Sequence, residues 1–317
     1  MALRERYEVS ASTYRIITRI ALAAMVVIVF TGAAVRLTGS GLGCPDWPKC
    51  FGGVIAPAKT PAIIEYSNRL ITGVVGIAAI LAALLGVFRR PYRRELEILA
   101  VVLPVGVLLQ IILGAITVLT ELHYGFVMAH YVVSMVLVDA AFALAWCATY
   151  EPGDLPRARD RFGVWSVRAL LPLGALTVFA GTAATAAGPH AGASGTGELV
   201  PRLRLVGADT LSWMVQRHGA LAVIFGLAAL ATIAILMREG GERRAVKPLV
   251  AVVGLLAAQG AIGIAQWQLE LPAAMVWVHV VFAVITWLAV LWSVGAAGLL
   301  EGEFNDTSSR AAAKAEA

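Results

Sequence analysis

The chain has 317 residues, 59% from the apolar set Ala, Val, Ile, Leu, Met, Phe, Trp, Tyr and Cys and only 14% charged. With a mean hydropathy of +0.81, it has too little polar surface to cover its apolar groups in water, which excludes a pair of soluble domains. The net charge of +5 does not point to nucleic acid, because the basic residues sit in short loops between apolar runs; the expected surrounding is a lipid bilayer.

Spanning the hydrocarbon takes about 20 mostly apolar residues. Eight stretches qualify: 16–36, 62–88, 96–119, 126–149, 167–187, 211–237, 248–269 and 273–299. The first is too long for a signal-peptide core and lacks a small-residue cleavage site, so it reads as a span. Residues from Glu301 on are polar and Ala-rich and read as a disordered tail. Eighteen of the 25 Lys and Arg fall on one side: in the N-terminal segment (Arg4, Arg6, Arg15, Arg19), the even-numbered loops and the tail. Positive charge stays inside, so both termini are expected in the cytoplasm of a cell-membrane protein.

The two halves repeat. Gly32 and Gly181, Gly39 and Gly188, Gln110 and Gln259, Gly114 and Gly263, Glu121 and Glu270, and His130 and His279 are each 149 residues apart. Asn68 pairs with His218, and Gly76 with Gly226, at 150. An ordered set containing Gln, Glu and His is not a glycine coincidence. Four spans per repeat is an even number, so the halves share one topology. The expected fold is all-α, eight transmembrane helices in two four-helix bundles. The divisions are 1–150, a cytoplasmic linker 151–166, 167–300 and a tail 301–317.

Ionisable groups inside a bilayer are costly and usually functional. His130, His218 and His279 lie in spans four, six and eight, with Asn68 equivalent in span two. With span ends set to within a few residues, each falls roughly six or seven residues after its helix enters from outside, on the order of 10 Å deep at about 1.5 Å per residue. A lone intramembrane His more often bonds a neighbouring helix. Equal depth and repeat-related placement favour iron ligation instead, since imidazoles on facing helices are a common way to hold haem. On that reading His218 and His279 form one axial pair and His130 ligates in the other bundle, with Asn68 opposite. Zinc would want four clustered ligands with Cys or carboxylate among them.

Glu65, Asn68 and Arg69 share one helical face. Glu65 and Arg69 can form an ordinary helix-end ion pair, or Arg69 can bind haem propionates, a role equally open to Arg217; either arginine can instead reach lipid headgroups. Cys44 and Cys50 lie in the first outer loop, where thiols pair, so a disulfide is expected. Cys147 reads as a small core residue and Asp139 as an interhelical hydrogen-bonding acid. His123 and His190 fall at the outer surface, His123 as a loop residue. The glycines of Thr38–Gly43 follow a span rather than a strand, which argues against a phosphate loop.

The chain resembles the haem A synthase family, membrane enzymes that convert haem O to haem A for cytochrome oxidase. The most specific matches are Gly32–Arg36 continuing through Thr-Gly-Ser-Gly-Leu-Gly-Cys-Pro-Asp-Trp-Pro, the block Glu65–Arg69, Thr182–Gly192, and the sites at Arg217-His218 and His279. The resemblance implies haem b on His218 and His279 as cofactor, haem O at His130 as substrate, and Glu65 as the catalytic acid. One position departs: where the family commonly has Glu-x-x-His-Arg, this chain has Asn68. Asn ligates iron poorly, so His130 alone would leave one axial face open. The implied reaction is two successive oxidations of the C8 methyl to a formyl group. Implied partners are haem O synthase as substrate donor, an unidentified electron-transfer partner and the cytochrome oxidase assembly machinery. A di-haem cytochrome-b-like carrier without catalysis is the main competitor; a secondary transporter would be expected to carry broken helices and a midplane site instead.

Overall fold

In the computed structural model, residues 7–301 are described apart from Pro152, Glu198 and Glu239. Arg4, Arg6 and the polar tail beyond Glu301 lie outside the described residues. Among the described residues there are nine α-helices: α1 (Ala11–Leu37), α2 (Thr60–Phe88), α3 (Arg94–Leu119), α4 (Tyr124–Cys147), the short α5 (Arg161–Arg168), α6 (Leu170–Ala187), α7 (Thr210–Met237), α8 (Val246–Gln268) and α9 (Ala273–Ala297). Short α5 continues into α6 as one span, Arg161–Ala187, and among the described residues eight spans are long and apolar enough to cross a membrane. The protein is an all-α eight-span membrane protein. Among the described residues the strands are two-residue parallel pairs, β1 (Val9–Ser10) with β2 (Arg89–Arg90) and β3 (Arg157–Ala158) with β4 (Leu299–Leu300), beside one isolated antiparallel bridge between Cys50 and Gly53.

Local chemistry sets the helix ends. Ser10 caps α1, its hydroxyl accepting from the Thr13 N–H at 3.1 Å, and Asp160 caps α5 by accepting from Gly163 at 3.0 Å. Glu95 and Glu97 occupy the first turn of α3, where the helix dipole favours negative charge. The fifth span begins six residues before the expected 167 because α5 is amphipathic and polar enough to escape a hydropathy window. Pro172, in the first turn of α6, then has no N–H to give.

The repeat is visible in the backbone. Glu121 and Leu122 have φ of 52° and 57°, and their counterparts Glu270 and Leu271 have 60° and 61°. Two successive non-glycine residues in the left-handed region are costly, yet both copies keep them. Each pair closes the same reverse turn, with Leu122 N–H on the Thr117 carbonyl at 2.8 Å and Leu271 N–H on Gln266 at 2.6 Å. This wrap ends α3 and α8 and lets α4 and α9 start almost at once.

The chain forms two compact units. The first comprises residues 1–149, 179–217 and 265–281, the second 150–178, 218–264 and 282–317. In the first, α1 packs on α2, α2 on α3, α3 on α4 and α4 on α1, a closed ring in which α2 and α4 stand opposite one another. At one end of this unit β1 pairs with β2. At the other, three loops are stitched together: Gly41 N–H donates to Gly192 O at 2.7 Å and Gly195 N–H to Gly39 O at 3.1 Å. His190 Nε2 meets Leu271 O at 2.7 Å. Gly39 has φ +68°, and a Cβ there would strike Ser194 and Gly195. The second unit is cored by Val164, Val167 and Leu170 against Phe225, Leu236, Leu249 and Val290.

Candidate functional site

The site in the first unit is built where the loop between α1 and α2 meets the start of α2. Gly43 lies flat on the backbone of Pro61 and Ala62, where any Cβ would collide. That close approach delivers the next amide to the helix: Cys44 N–H donates to Glu65 Oε2 at 2.8 Å. One turn on, Arg69 Nη2 donates to Glu65 Oε1 at 2.6 Å. Glu65 is buried, with 5% of its surface exposed. A carboxylate so placed is tolerable because both its oxygens accept charge-assisted or backbone hydrogen bonds.

Arg69 also closes on the loop itself. Nη1 donates to the carbonyls of Asp46 at 3.2 Å and Lys49 at 3.0 Å, and Nη2 to those of Cys44 at 3.3 Å and Asp46 at 3.2 Å. Cys44 and Cys50 are joined by a disulfide, with Cα atoms 4.7 Å apart. Asp46 folds the same loop back: its carboxylate accepts from Phe51 N–H at 2.6 Å and Gly52 N–H at 2.7 Å. The Gly52 N–H first, then that of Phe51, holds the Asp46 carboxyl below its ordinary range. Both terminal nitrogens of Arg69 are thus committed to Glu65 and the disulfide loop.

Asn68 follows Glu65 on α2. Its Oδ1 accepts from Thr31 Oγ1 of α1 at 2.8 Å. Across the ring on α4 stands His130, whose buried Nδ1 has no hydrogen-bond partner among the described residues. The helix around it is tied to α3: Gln110 Nε2 donates to the His130 carbonyl at 3.0 Å and to the Ser134 hydroxyl. Gly114 on α3 leaves room beside the ring, since a Cβ there would reach within 3.6 Å of His130 Cε1.

In the second unit His218 Nδ1 lies 3.0 Å from the Thr177 carbonyl. A carbonyl only accepts, so Nδ1 carries the proton and Nε2 keeps its lone pair, the arrangement that metal-ligating imidazoles use. His279 and Arg217 belong to the first unit. His279 is half-buried, whereas Arg217 is exposed with its guanidinium 5.1 Å over the Trp213 ring. His123 caps α4, its Nδ1 accepting from Gly125 at 3.3 Å. His190 is a structural tie, since Arg36 Nε donates to its carbonyl at 3.0 Å. Cys147 ends α4, and its carbonyl accepts from Arg93 at 3.0 Å.

The structure therefore brings Glu65, Arg69, Cys44 and Cys50 into direct contact and places Asn68 and His130 on opposed helices of one ring. Thr31, Thr177 and Arg36 carry no sequence signal of their roles, because intramembrane threonines usually bond their own backbone and Arg36 looks like one more interfacial charge. The donor set fits haem: an orphaned imidazole nitrogen on His130, and an imidazole on His218 whose Nδ1 faces a backbone carbonyl.

Fold and site define an eight-span helical membrane protein with an internal repeat and, among the described residues, one buried acid beneath a disulfide loop. The family model described as cytochrome oxidase assembly protein, COX15-CtaA, matches residues 15–291. The chain belongs to that family. Among its curated relatives is a haem A synthase of Shouchella clausii, 35% identical over 127 residues, 37% of this chain and 42% of that protein. Others are those of Bacillus pumilus, 33% identical over 133 residues (41% and 43%), and Alkalihalophilus pseudofirmus, 34% over 144 residues (44% and 46%). The chain thus matches less than half the length of these relatives.

Proposed function

We propose that the protein is a haem A synthase, oxidising the C8 methyl of haem O through an alcohol to the formyl group of haem A. The observation that carries this reading is the Glu65 carboxylate. It is buried on α2, bonded to Cys44 N–H and Arg69, and on the helix that faces His130. A pure electron carrier has no use for a buried acid beside an incomplete ligand pair.

Residues 1–150 would hold haem O and residues 167–300 haem b, with 151–166 as linker and both termini cytoplasmic. His130 would hold the substrate iron with Asn68 opposite, and His218, its Nδ1 facing the Thr177 carbonyl, would be a ligand of haem b. When bound, haem b supplies one-electron relay to a redox partner. Arg69 orients Glu65 and anchors the loop that roofs it, so a propionate contact from this residue would have to come through Nε. Arg217 is the better placed cation for a propionate, being exposed just before His218. Glu65 would stabilise positive charge developing at the methyl carbon and handle its protons. Haem O synthase would deliver the substrate, and the oxidase assembly machinery would receive the product.

The test is expression with haem O supplied, followed by extraction and typing of haem. Wild type is expected to yield haem A, and Glu65→Ala to accumulate haem O while retaining haem b. Full haem A production by Glu65→Ala would refute the role, and haem b alone in the wild type would favour a carrier.

A further inference from the structure

Asn68 has an unusual position for an amide: inside a membrane helix ring, half-buried, with its oxygen tied to a neighbouring helix. Thr31 Oγ1 lies 2.8 Å from Oδ1 and 3.2 Å from the Ile28 carbonyl; its single proton serves one acceptor at a time, and the contact to Oδ1 is the shorter. Oδ1 and Nδ2 stand on the same carbon, so Nδ2 is directed elsewhere. Among the described residues no hydrogen bond from Nδ2 is found, and the helix backbone is served separately, with Thr72 Oγ1 donating to the Asn68 carbonyl at 3.0 Å. Both N–H groups of Nδ2 are donors and its lone pair is delocalised, so it cannot ligate iron but can donate. An amide with unspent donors at membrane depth is costly. α2 carries it opposite α4, where the Nδ1 of His130 is also without a described partner.

We propose that Asn68, held by Thr31, is a hydrogen-bond donor to a small acceptor ligand bound on the open face of the iron that His130 holds. This rests on the haem reading above and adds a positioning function for the Thr31–Asn68 pair. The residue that looks like a missing ligand is a distal donor. It would favour water, hydroxide or a comparable small ligand in the sixth position over a second imidazole. The Thr31 hydroxyl sets which way the amide faces, so its loss lets the amide rotate and present its oxygen, which repels such a ligand.

The experiment uses the full chain purified in detergent and loaded with haem, read without turnover. Azide titration followed at the Soret band, and the C–O stretch of the ferrous carbonyl adduct, report on the open face. Wild type is expected to have an azide-binding haem that disappears in His130→Ala. Asn68→Leu should retain that haem but bind azide about tenfold more weakly, as loss of a hydrogen bond to a charged acceptor requires, with the C–O stretch shifted upward. Thr31→Val should weaken azide in the same direction. Asn68→His should become low-spin and lose azide and carbon monoxide binding. Azide affinity and C–O stretch unchanged in Asn68→Leu would overturn the donor role. Retained azide binding in low-spin-capable Asn68→His would overturn the placement of Asn68 at the iron. An azide-binding haem that survives in His130→Ala, or a wild type that takes up no haem, would instead overturn the haem reading on which the proposal stands.

Discussion

Arg69→Met removes a guanidinium while keeping much of the aliphatic stem. It deletes the 2.6 Å contact to Glu65 and the bonds to the carbonyls of Cys44, Asp46 and Lys49. Removing one partner of a buried ion pair costs about 3–5 kcal/mol, because the other charge stays buried and uncompensated. The Arg69 side chain is 19% exposed against 7% for Glu65, so water softens the loss and the lower end, about 3 kcal/mol, applies. If that falls on local opening of the loop rather than on global unfolding, exchange of the Cys44 amide should accelerate roughly a hundredfold. Hydrogen-exchange mass spectrometry on peptides spanning 40–55, with the rate of disulfide reduction by a small thiol alongside, measures it. Adding Glu65→Gln should cost less than the sum of the two single changes, since the stranded charge is then gone. Unchanged exchange and unchanged reduction in Arg69→Met would show that the disulfide and the Asp46 turn hold the loop alone.

Gly43→Ala should destabilise by about 1–3 kcal/mol because the new methyl must displace the Pro61 and Ala62 backbone, whereas Gly73→Ala, which meets nothing within 4 Å, should not lower the thermal midpoint in detergent. Acid acts on the same loop through Asp46. Its folded carboxyl titrates below the unfolded value, so its contribution is present above about pH 4 and is lost as pH falls through the lower folded value. Amide protection at Phe51 and Gly52 should therefore drop on acidification past that point, and in Asp46→Asn the pH dependence should vanish.

The spans were legible in the sequence because a membrane imposes one requirement on every residue it touches. Continuous apolar runs of helix length can be counted without knowing their neighbours. The internal repeat was legible for a similar reason, since matching Gln110 with Gln259 and Glu121 with Glu270 needs only the register, and both turns duly share their left-handed backbone. The Cys44–Cys50 pair followed from loop position alone, and it is joined. The fifth span started earlier than hydropathy indicated because α5 is amphipathic, its buried Val164 and Val167 packing into the core of the second unit while its other face is polar.

Partner choice was another matter. That Arg69 spends itself on loop carbonyls, that Thr31 claims the Asn68 oxygen, and that a backbone carbonyl of Thr177 sets the tautomer of His218 all depend on atoms distant in sequence. Hydropathy and spacing report how each residue meets its solvent, which is a one-residue property. Hydrogen bonds between helices are pairwise and directional, so they exist only once the ring has closed and fixed which side chains come within reach.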